Sequence, residues 1–251
     1  MKKTLFTIAF FAIITTSNAQ IAEELFKTKY SKIGLEVGSQ ILFTKNQTNA
    51  AQYKWLTSQS VFFGFNYNFY QRKNLNLKVA ITYSLFDQSD DYLVLDGSGT
   101  ALMKAGSEGG PYNLFSMPID AEYFFRVKSN LLLSVNTGLE FTYNMYGSDE
   151  GISRTARGVN GFITDINSVE KAPDFPLYLG VNAGLSFSIA SKPMLLKFNV
   201  KYHKNFNSYL YEATSKIEIN GISVANENKS SLTGDYFGLG ISINPNKNFF
   251  R

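Results

Sequence analysis

Leu177-Tyr178-Leu179-Gly180-Val181-Asn182-Ala183-Gly184-Leu185-Ser186-Phe187-Ser188-Ile189 decides the fold. Every odd position is apolar, and the even positions after Tyr178 are Gly, Asn, Gly, Ser and Ser. Side chains on a strand alternate with period two, so this segment is a β-strand with one apolar face and one small, polar face. It exceeds the roughly 9–11 residues that a tilted strand needs to cross the hydrocarbon of a bilayer.

The same pattern recurs on both sides of it. Ile33 to Phe43, Val61 to Phe69, Leu75 to Leu85, Met117 to Phe125, Leu131 to Tyr143, Met194 to Tyr202 and Phe237 to Ile243 each alternate in this way, which makes eight segments. No position on any of the eight apolar faces is charged, although Asp, Glu, Lys and Arg make up 18% of the chain. The connections alternate too. Residues 70–74, 126–130 and 190–193 are short and polar, whereas 44–58, 87–114, 144–176 and 203–235 are long. In an up-and-down barrel this places every tight turn at one end and every long loop at the other, the arrangement of bacterial outer-membrane barrels with both termini in the periplasm.

Alternation does not say which face is inside, and a soluble lipocalin-like barrel is the competing architecture. The polar face is rich in Gly, Ala, Ser and Asn, which suits a crowded lumen better than a solvated exterior. Aromatic residues gather near strand ends, at Phe43, Phe69, Tyr83, Phe86, Tyr123, Tyr143, Tyr146, Phe187, Tyr202 and Tyr236. That distribution predicts girdles at two membrane interfaces. The expected fold class is therefore all-β: an eight-stranded antiparallel up-and-down transmembrane β-barrel over residues 33–251, in a bacterial cell outer membrane with lipid as its first partner.

The N-terminus predicts export. Lys2 and Lys3 precede an apolar run from Leu5 to Ile14, and Ser17 and Ala19 occupy the −3 and −1 positions of a cut before Gln20. The run is too short to span a bilayer, so residues 1–19 read as a signal peptide and 20–32 as a periplasmic N-terminal segment with weak helical periodicity from Ile21 to Phe26. Without Lys2 and Lys3 the basic count falls from 24 to 22 against 20 acids. That balance, with no run of basic residues interleaved with aromatics, predicts no nucleic-acid partner. The chain has no Cys, hence no disulfide and no N-terminal lipid site.

Candidate chemistry is sparse. With one His and no Cys a usual zinc site cannot be built, and the loop acids Asp87, Asp90, Asp91 and Asp96 lack the spaced oxygen-ligand pattern of a calcium loop. Gly97, Gly99, Gly106, Gly109 and Gly110 lack the lysine-serine ending and following helix of a phosphate cradle. No cofactor is expected. His203 lies on the inward register at the mouth of the seventh segment, where an acyltransferase or protease would place a base. Ser208, Ser230, Ser231 or Asp235 would have to complete a triad, yet no nucleophile motif surrounds them. The reading that stands is a polar rim residue and no enzyme, with an outer-membrane enzyme centred on His203 as the alternative.

The inward charges carry more information. Glu36, Lys78, Glu122 and Lys197 each sit three residues from the estimated periplasmic end of their strand, with Asp120, Glu140 and Lys201 above. Charges inside a narrow barrel must pair, so these seven read as a salt-bridged interior charge layer in which Lys78 meets Glu122. An ion path through a narrow pore is the functional alternative, set against lumens of this size being filled by side chains.

Phe115-Ser116-Met117-Pro118-Ile119-Asp120-Ala121-Glu122-Tyr123-Phe124-Phe125, the Ala19-Gln20 junction and the closing Gly238-Leu239-Gly240-Ile241 resemble the small outer-membrane β-barrel family of Bacteroidota that includes PorT-like proteins. The resemblance covers about Ile33 to Ile243 through loose motifs and implies a part in secretion-system assembly. Pro118 inside a closed sheet predicts a bulge, since proline offers no ladder donor. Many outer-membrane barrels end on an aromatic residue that closes the last strand, whereas here Ile243 is followed by Asn244 to Asn248 and then Phe249-Phe250-Arg251, with Phe250 the candidate assembly signal. The function expected is a structural, adhesive or partner-docking one, exerted on an unknown protein or surface ligand through the extracellular loops.

Overall fold

The computed structural model describes residues 20–46, 53–55, 58–86, 92–95, 101–105, 112–145, 150–157, 163–171, 176–207, 210–219 and 222–248. The expected signal peptide, Phe250 and the loop residues Asp87, Asp90, Asp91, Asp96, Gly97, Gly99, Gly106, Gly109 and Gly110 lie outside them.

A short helix α1 (Ile21–Glu23) runs into a π-helical turn (Glu24–Lys29). Strands follow as β1 (Ile33–Asn46), β2 (Tyr53–Trp55), β3 (Ser58–Arg72), β4 (Leu75–Phe86), β5 (Tyr92–Leu95), β6 (Ala101–Ala105) and β7 (Tyr112–Lys128). After them come β8 (Leu131–Asn144), β9 (Glu150–Arg157), β10 (Ile163–Lys171), β11 (Leu177–Ala190), β12 (Met194–Asn205), β13 (Tyr211–Ile219) and β14 (Ile222–Pro245). Eight of them, in the order β1-β3-β4-β7-β8-β11-β12-β14, pair antiparallel, and β14 returns to β1 through Val37 opposite Ile241. The sheet is closed, so no barrel edge is left unpaired.

The faces separate by polarity. Among the described residues the outward side chains in the belt are mostly apolar, from Leu35 and Phe65 to Leu185, Leu239 and Ile241, all exposed, with Ser39 and Thr137 as polar exceptions. The buried inward positions are mostly polar or charged, among them Asn66, Asn76, Ser134, Asn182 and Ser242. A water-soluble barrel would show the reverse. An apolar belt around a polar lumen, with every strand paired to two neighbours, is stable only when the belt meets lipid. The chain is a transmembrane barrel of the bacterial outer-membrane type. Aromatic contacts decorate the belt: Tyr83 lies 5.4 Å from Phe63 and 5.1 Å from Phe115 between ring centroids. Tyr236 is an exception to the expected girdle, because its ring is buried and turned inward.

The tight-turn end differs in detail from the sequence reading. The strands run on to two-residue turns at Lys73–Asn74 and Ser129–Asn130, and bulges at Phe69 and Val127 add a residue to β3 and β7. Pro118 is not a bulge. It keeps its register opposite Glu140, and the β4–β7 ladder simply omits the rungs between Val79–Ile119 and Thr82–Ser116. Removing one donor costs less here than inserting a residue and turning every later side chain to the wrong face.

The long connections are not plain loops. Residues 44–58, 87–114, 144–176 and 203–235 contain further strands, and β14 begins well inside the last of them, at Ile222. Beyond the barrel, β14 pairs with β13, β13 with β10 and β10 with β9, while β2, β5 and β6 form a separate three-stranded sheet. The switch lies at Gly234, with φ 79°, a left-handed conformation that glycine adopts without strain. On one side of it Tyr236 faces His203 of β12; on the other, Leu232 faces Tyr211 of β13.

Candidate functional site

The lumen is stacked in tiers, each set by strand register. At the tight-turn end the helical segment corks the barrel. Ile21, Ala22, Leu25 and Phe26 are at most 2% exposed and pack on Tyr30, Phe124, Leu132 and Leu195. The cork is fastened through its backbone and through the Tyr30 hydroxyl. Ala22 N donates to Lys73 O at 2.9 Å, Ile21 N to Asn74 Oδ1 at 3.2 Å, and Tyr30 OH to Ser191 O at 2.6 Å. Glu24 adds ion pairs to Lys29 and Arg126, and hydrogen bonding from Lys29 first, then Arg126, holds its carboxyl below the ordinary glutamate value.

Above the cork, Lys197 Nζ donates to both oxygens of Glu122 at 2.8 and 2.6 Å and lies 5.2 Å over the Phe124 ring. Ser134 Oγ donates to Glu122 at 2.7 Å. Beside this pair an amide ladder crosses the lumen: Asn76 donates to Asn68 at 2.7 Å, Asn68 to Asn66 at 3.3 Å, and Asn66 to Ser242 Oγ at 2.9 Å.

The middle tier joins Lys78 to Glu36 at 3.4 Å and to Asp120 at 3.3 Å. Phe62 shares this level, in room left by two glycines. A Cβ on Gly38 would lie 2.5 Å from its ring and one on Gly240 would lie 3.1 Å away. The upper tier is centred on Glu140, which accepts from Lys201 at 2.8 Å and from Tyr236 OH at 2.8 Å, with His203 Nδ1 at 3.6 Å. The His203 ring stacks on Tyr236 at 4.8 Å. Leu42, Leu114, Tyr178 and Leu210, all buried, roof the stack, and Tyr178 OH donates to Leu210 O at 3.2 Å.

All seven inward charges thus lie in the lumen within ion-pair distance of an opposite charge, but Glu122 and Lys197 do not share one layer with Glu36 and Lys78. Lys78 does not pair with Glu122. The β4–β7 register sets Lys78 opposite Asp120 and Asn76 opposite Glu122. The register places Tyr123 opposite Leu75 at the start of β4, so β7 runs on past that strand's end to Lys128 and Glu122 lies nearer the tight-turn end than Lys78. His203 is buried as its register implied. Its prospective partner Asp235 instead accepts from Lys204 Nζ at 2.5 Å and Asn205 N at 2.8 Å. Ser208 lies outside the described residues, and so does the side chain of Ser230.

Sequence reasoning missed the cork, Phe62 and Tyr236. The apolar spacing of Ile21, Leu25 and Phe26 was the available signal for the cork. Tyr236 belongs to the inward parity of the eighth segment, one step from Phe237. The space beside Lys78, Asp120 and Lys201 is a cavity of about 30 Å³. It would take one or two waters and no hydrated ion. Among the described residues no cluster of His, Asp and Glu has the makings of a metal site.

No protein-family model matches the chain, and no curated protein matches it. Solved structures do. The outer membrane protein OprG from Pseudomonas aeruginosa aligns over 88% of this chain and 99% of its own, with 10% identity and a TM-score of 0.43. Neisserial surface protein A aligns over 85% and 97%, with 14% identity and a TM-score of 0.33. Ail, the attachment invasion locus protein of Yersinia pestis, aligns over 84% and 97%, with 8% identity and a TM-score of 0.36. With likeness this distant, the membrane placement rests on the apolar belt and polar lumen of the chain itself.

Proposed function

We propose that the protein is a non-catalytic outer-membrane anchor that holds a β-sheet outside the cell for a protein or surface ligand to dock on. One observation carries this reading. The β14 strand exchanges β12 for β13 at Gly234 without ending, stays paired with β1 as far as Ser230, and carries the sheet β14-β13-β10-β9, so a continuous ladder links the membrane domain to the outermost strand. Among the described residues β9 pairs with β10 alone, and a strand with one neighbour offers its free backbone edge to an incoming segment. The lumen supports an anchoring role: it is corked, ion-paired and roofed, and the space beside Lys78, Asp120 and Lys201 is about 30 Å³. The resemblance to PorT-like proteins adds secretion-system assembly as the setting.

A photo-crosslinking residue at Ser153 in β9, with a second at Ser129 in a tight turn as control, tests this in intact cells. The expected adducts form from Ser153 and disappear when residues 150–171 are replaced by a short linker. Adducts from Ser129 alone would contradict the reading, as would stepwise conductance of the full chain in planar bilayers.

A further inference from the structure

Charge is distributed along the barrel axis with a strong bias that neither the lumen nor the loop sheet explains. The tight-turn end comprises residues 20–32, 70–76, 124–132, 189–196 and 244–248. It holds nine basic residues, Lys27, Lys29, Lys32, Arg72, Lys73, Arg126, Lys128, Lys192 and Lys247, against two acids, Glu23 and Glu24. The long connections 44–58, 87–114, 144–176 and 203–235 hold nine basic residues against fourteen acids. The chain's net charge of +4 therefore conceals about +7 at one end and −5 at the other.

The basic residues form a collar. They come from the helical segment, the start of β1, all three tight turns and the segment after β14, so they encircle the rim, and all but the half-buried Lys32 are exposed. Glu23 and Glu24 pair with Lys27, Lys29 and Arg126. The remaining six have no carboxylate at ion-pair distance among the described residues. Immediately above the collar lies the apolar belt at Ile33, Tyr67, Tyr70, Val127 and Leu133, all exposed.

We infer that this collar binds the phosphate groups of anionic phospholipids in the periplasmic leaflet of the outer membrane. A ring of cations just below a lipid-facing belt meets headgroups on every side, whereas a docked protein would contact only one sector. Anionic headgroups supply the opposite charge at that depth, and each Lys or Arg near such a surface adds to the attraction. The acidic opposite end is repelled by the same lipids, so the asymmetry also favours one direction of insertion. This inference rests on the reading of the chain as a membrane barrel with its tight turns in the periplasm.

The test reconstitutes the full chain into vesicles of equal phosphatidylglycerol and phosphatidylcholine, then counts by native mass spectrometry the lipids retained after gentle detergent release. Phosphatidylglycerol is expected to be enriched about fivefold among retained lipids at low salt, falling toward parity in about 0.5 M salt as screening shortens the reach of the collar. The variant Arg72→Gln, Lys73→Asn, Lys128→Gln, Lys192→Gln should lose most of that enrichment. Asn is used at Lys73 because φ there is 52°. Lys54→Gln, Lys104→Gln, Lys229→Gln at the other end should keep it. Equal retention of the two lipids by inserted wild-type protein, or enrichment that survives high salt, overturns the inference. Failure of the wild type to insert into these vesicles would instead overturn the membrane reading. If the fourfold variant does not fold, its Lys→Arg counterpart and the salt series still decide the matter.

Discussion

Lys197 and Glu122 form the most enclosed ion pair in the lumen, with side chains 4% and 1% exposed and two contacts of 2.6 and 2.8 Å. Lys197→Met leaves the Glu122 carboxylate with Ser134 at 2.7 Å and Asn76 at 3.4 Å as neutral donors, and no cation in contact. Glu122→Gln strands the ammonium over Phe124. Each single change should cost about 3–5 kcal/mol, because an unpaired charge remains in a space that water cannot fill. Removing both deletes the charges together and should cost no more than either alone, giving a coupling of at least about 3 kcal/mol. The same cycle on Lys78 and Glu122 should show much weaker coupling, since Lys78 keeps Glu36 and Asp120. Urea unfolding of the refolded barrel in micelles, followed by intrinsic fluorescence and gel mobility, supplies the free energies. Additivity for Lys197 and Glu122, or strong coupling for Lys78 and Glu122, would refute the register on which the tiers depend.

Three further outcomes are expected. Val79→Arg or Leu139→Arg on the belt should destabilise the barrel in vesicles by about 2–4 kcal/mol near mid-membrane, and folding of either variant without detergent or lipid would contradict a lipid-facing exterior. Phe26→Ala should cost the cork about 3–5 kcal/mol by opening a void against Phe124, whose ring centroid is 6.2 Å away, and should raise hydrogen exchange at residues 21–30 before it affects β11. The Glu24 carboxyl, held down by Lys29 and Arg126, supports docking of the cork fully above about pH 4.5. That contribution is lost as pH falls through its lower folded-state value. Because these groups are partly exposed, the loss should be only about 0.2–1 kcal/mol, read as faster exchange at residues 21–30 in acid and absent in Glu24→Gln.

The barrel was legible because eight segments carry long, uncharged apolar faces, a demand that lipid imposes on every spanning strand. Segments such as Leu177 to Ile189 fix both the strand and its two faces. The strands beyond the membrane were not legible for the complementary reason. Glu150 to Arg157 carries only Ile152 and Ala156 as apolar residues, while Tyr211 to Ile219 does alternate but is short and sits inside a connection that reads as a loop. The inward charges could be named because parity assigns a face, but their partners depend on height. Height depends on where neighbouring strands end relative to one another, as β7 does past β4, which composition does not announce. Pro118 misled in the same way: it shows that a donor is lost, and not whether the ladder skips a rung or gains a residue.

The central claim is a membrane barrel with its tight turns in the periplasm and its strand-built sheet outside. The chain contains no cysteine. Single cysteines at Ser153 in β9, Lys128 at the tight-turn end of β7 and Leu239 on the belt can therefore be probed in whole cells with a membrane-impermeant maleimide. The account predicts labelling of Ser153→Cys in intact cells, of Lys128→Cys only after the outer membrane is opened, and of Leu239→Cys only after solubilisation and unfolding. Labelling of Lys128→Cys from outside while Ser153→Cys stays protected would invert the topology, and labelling of Leu239→Cys in intact cells would contradict the lipid-facing belt.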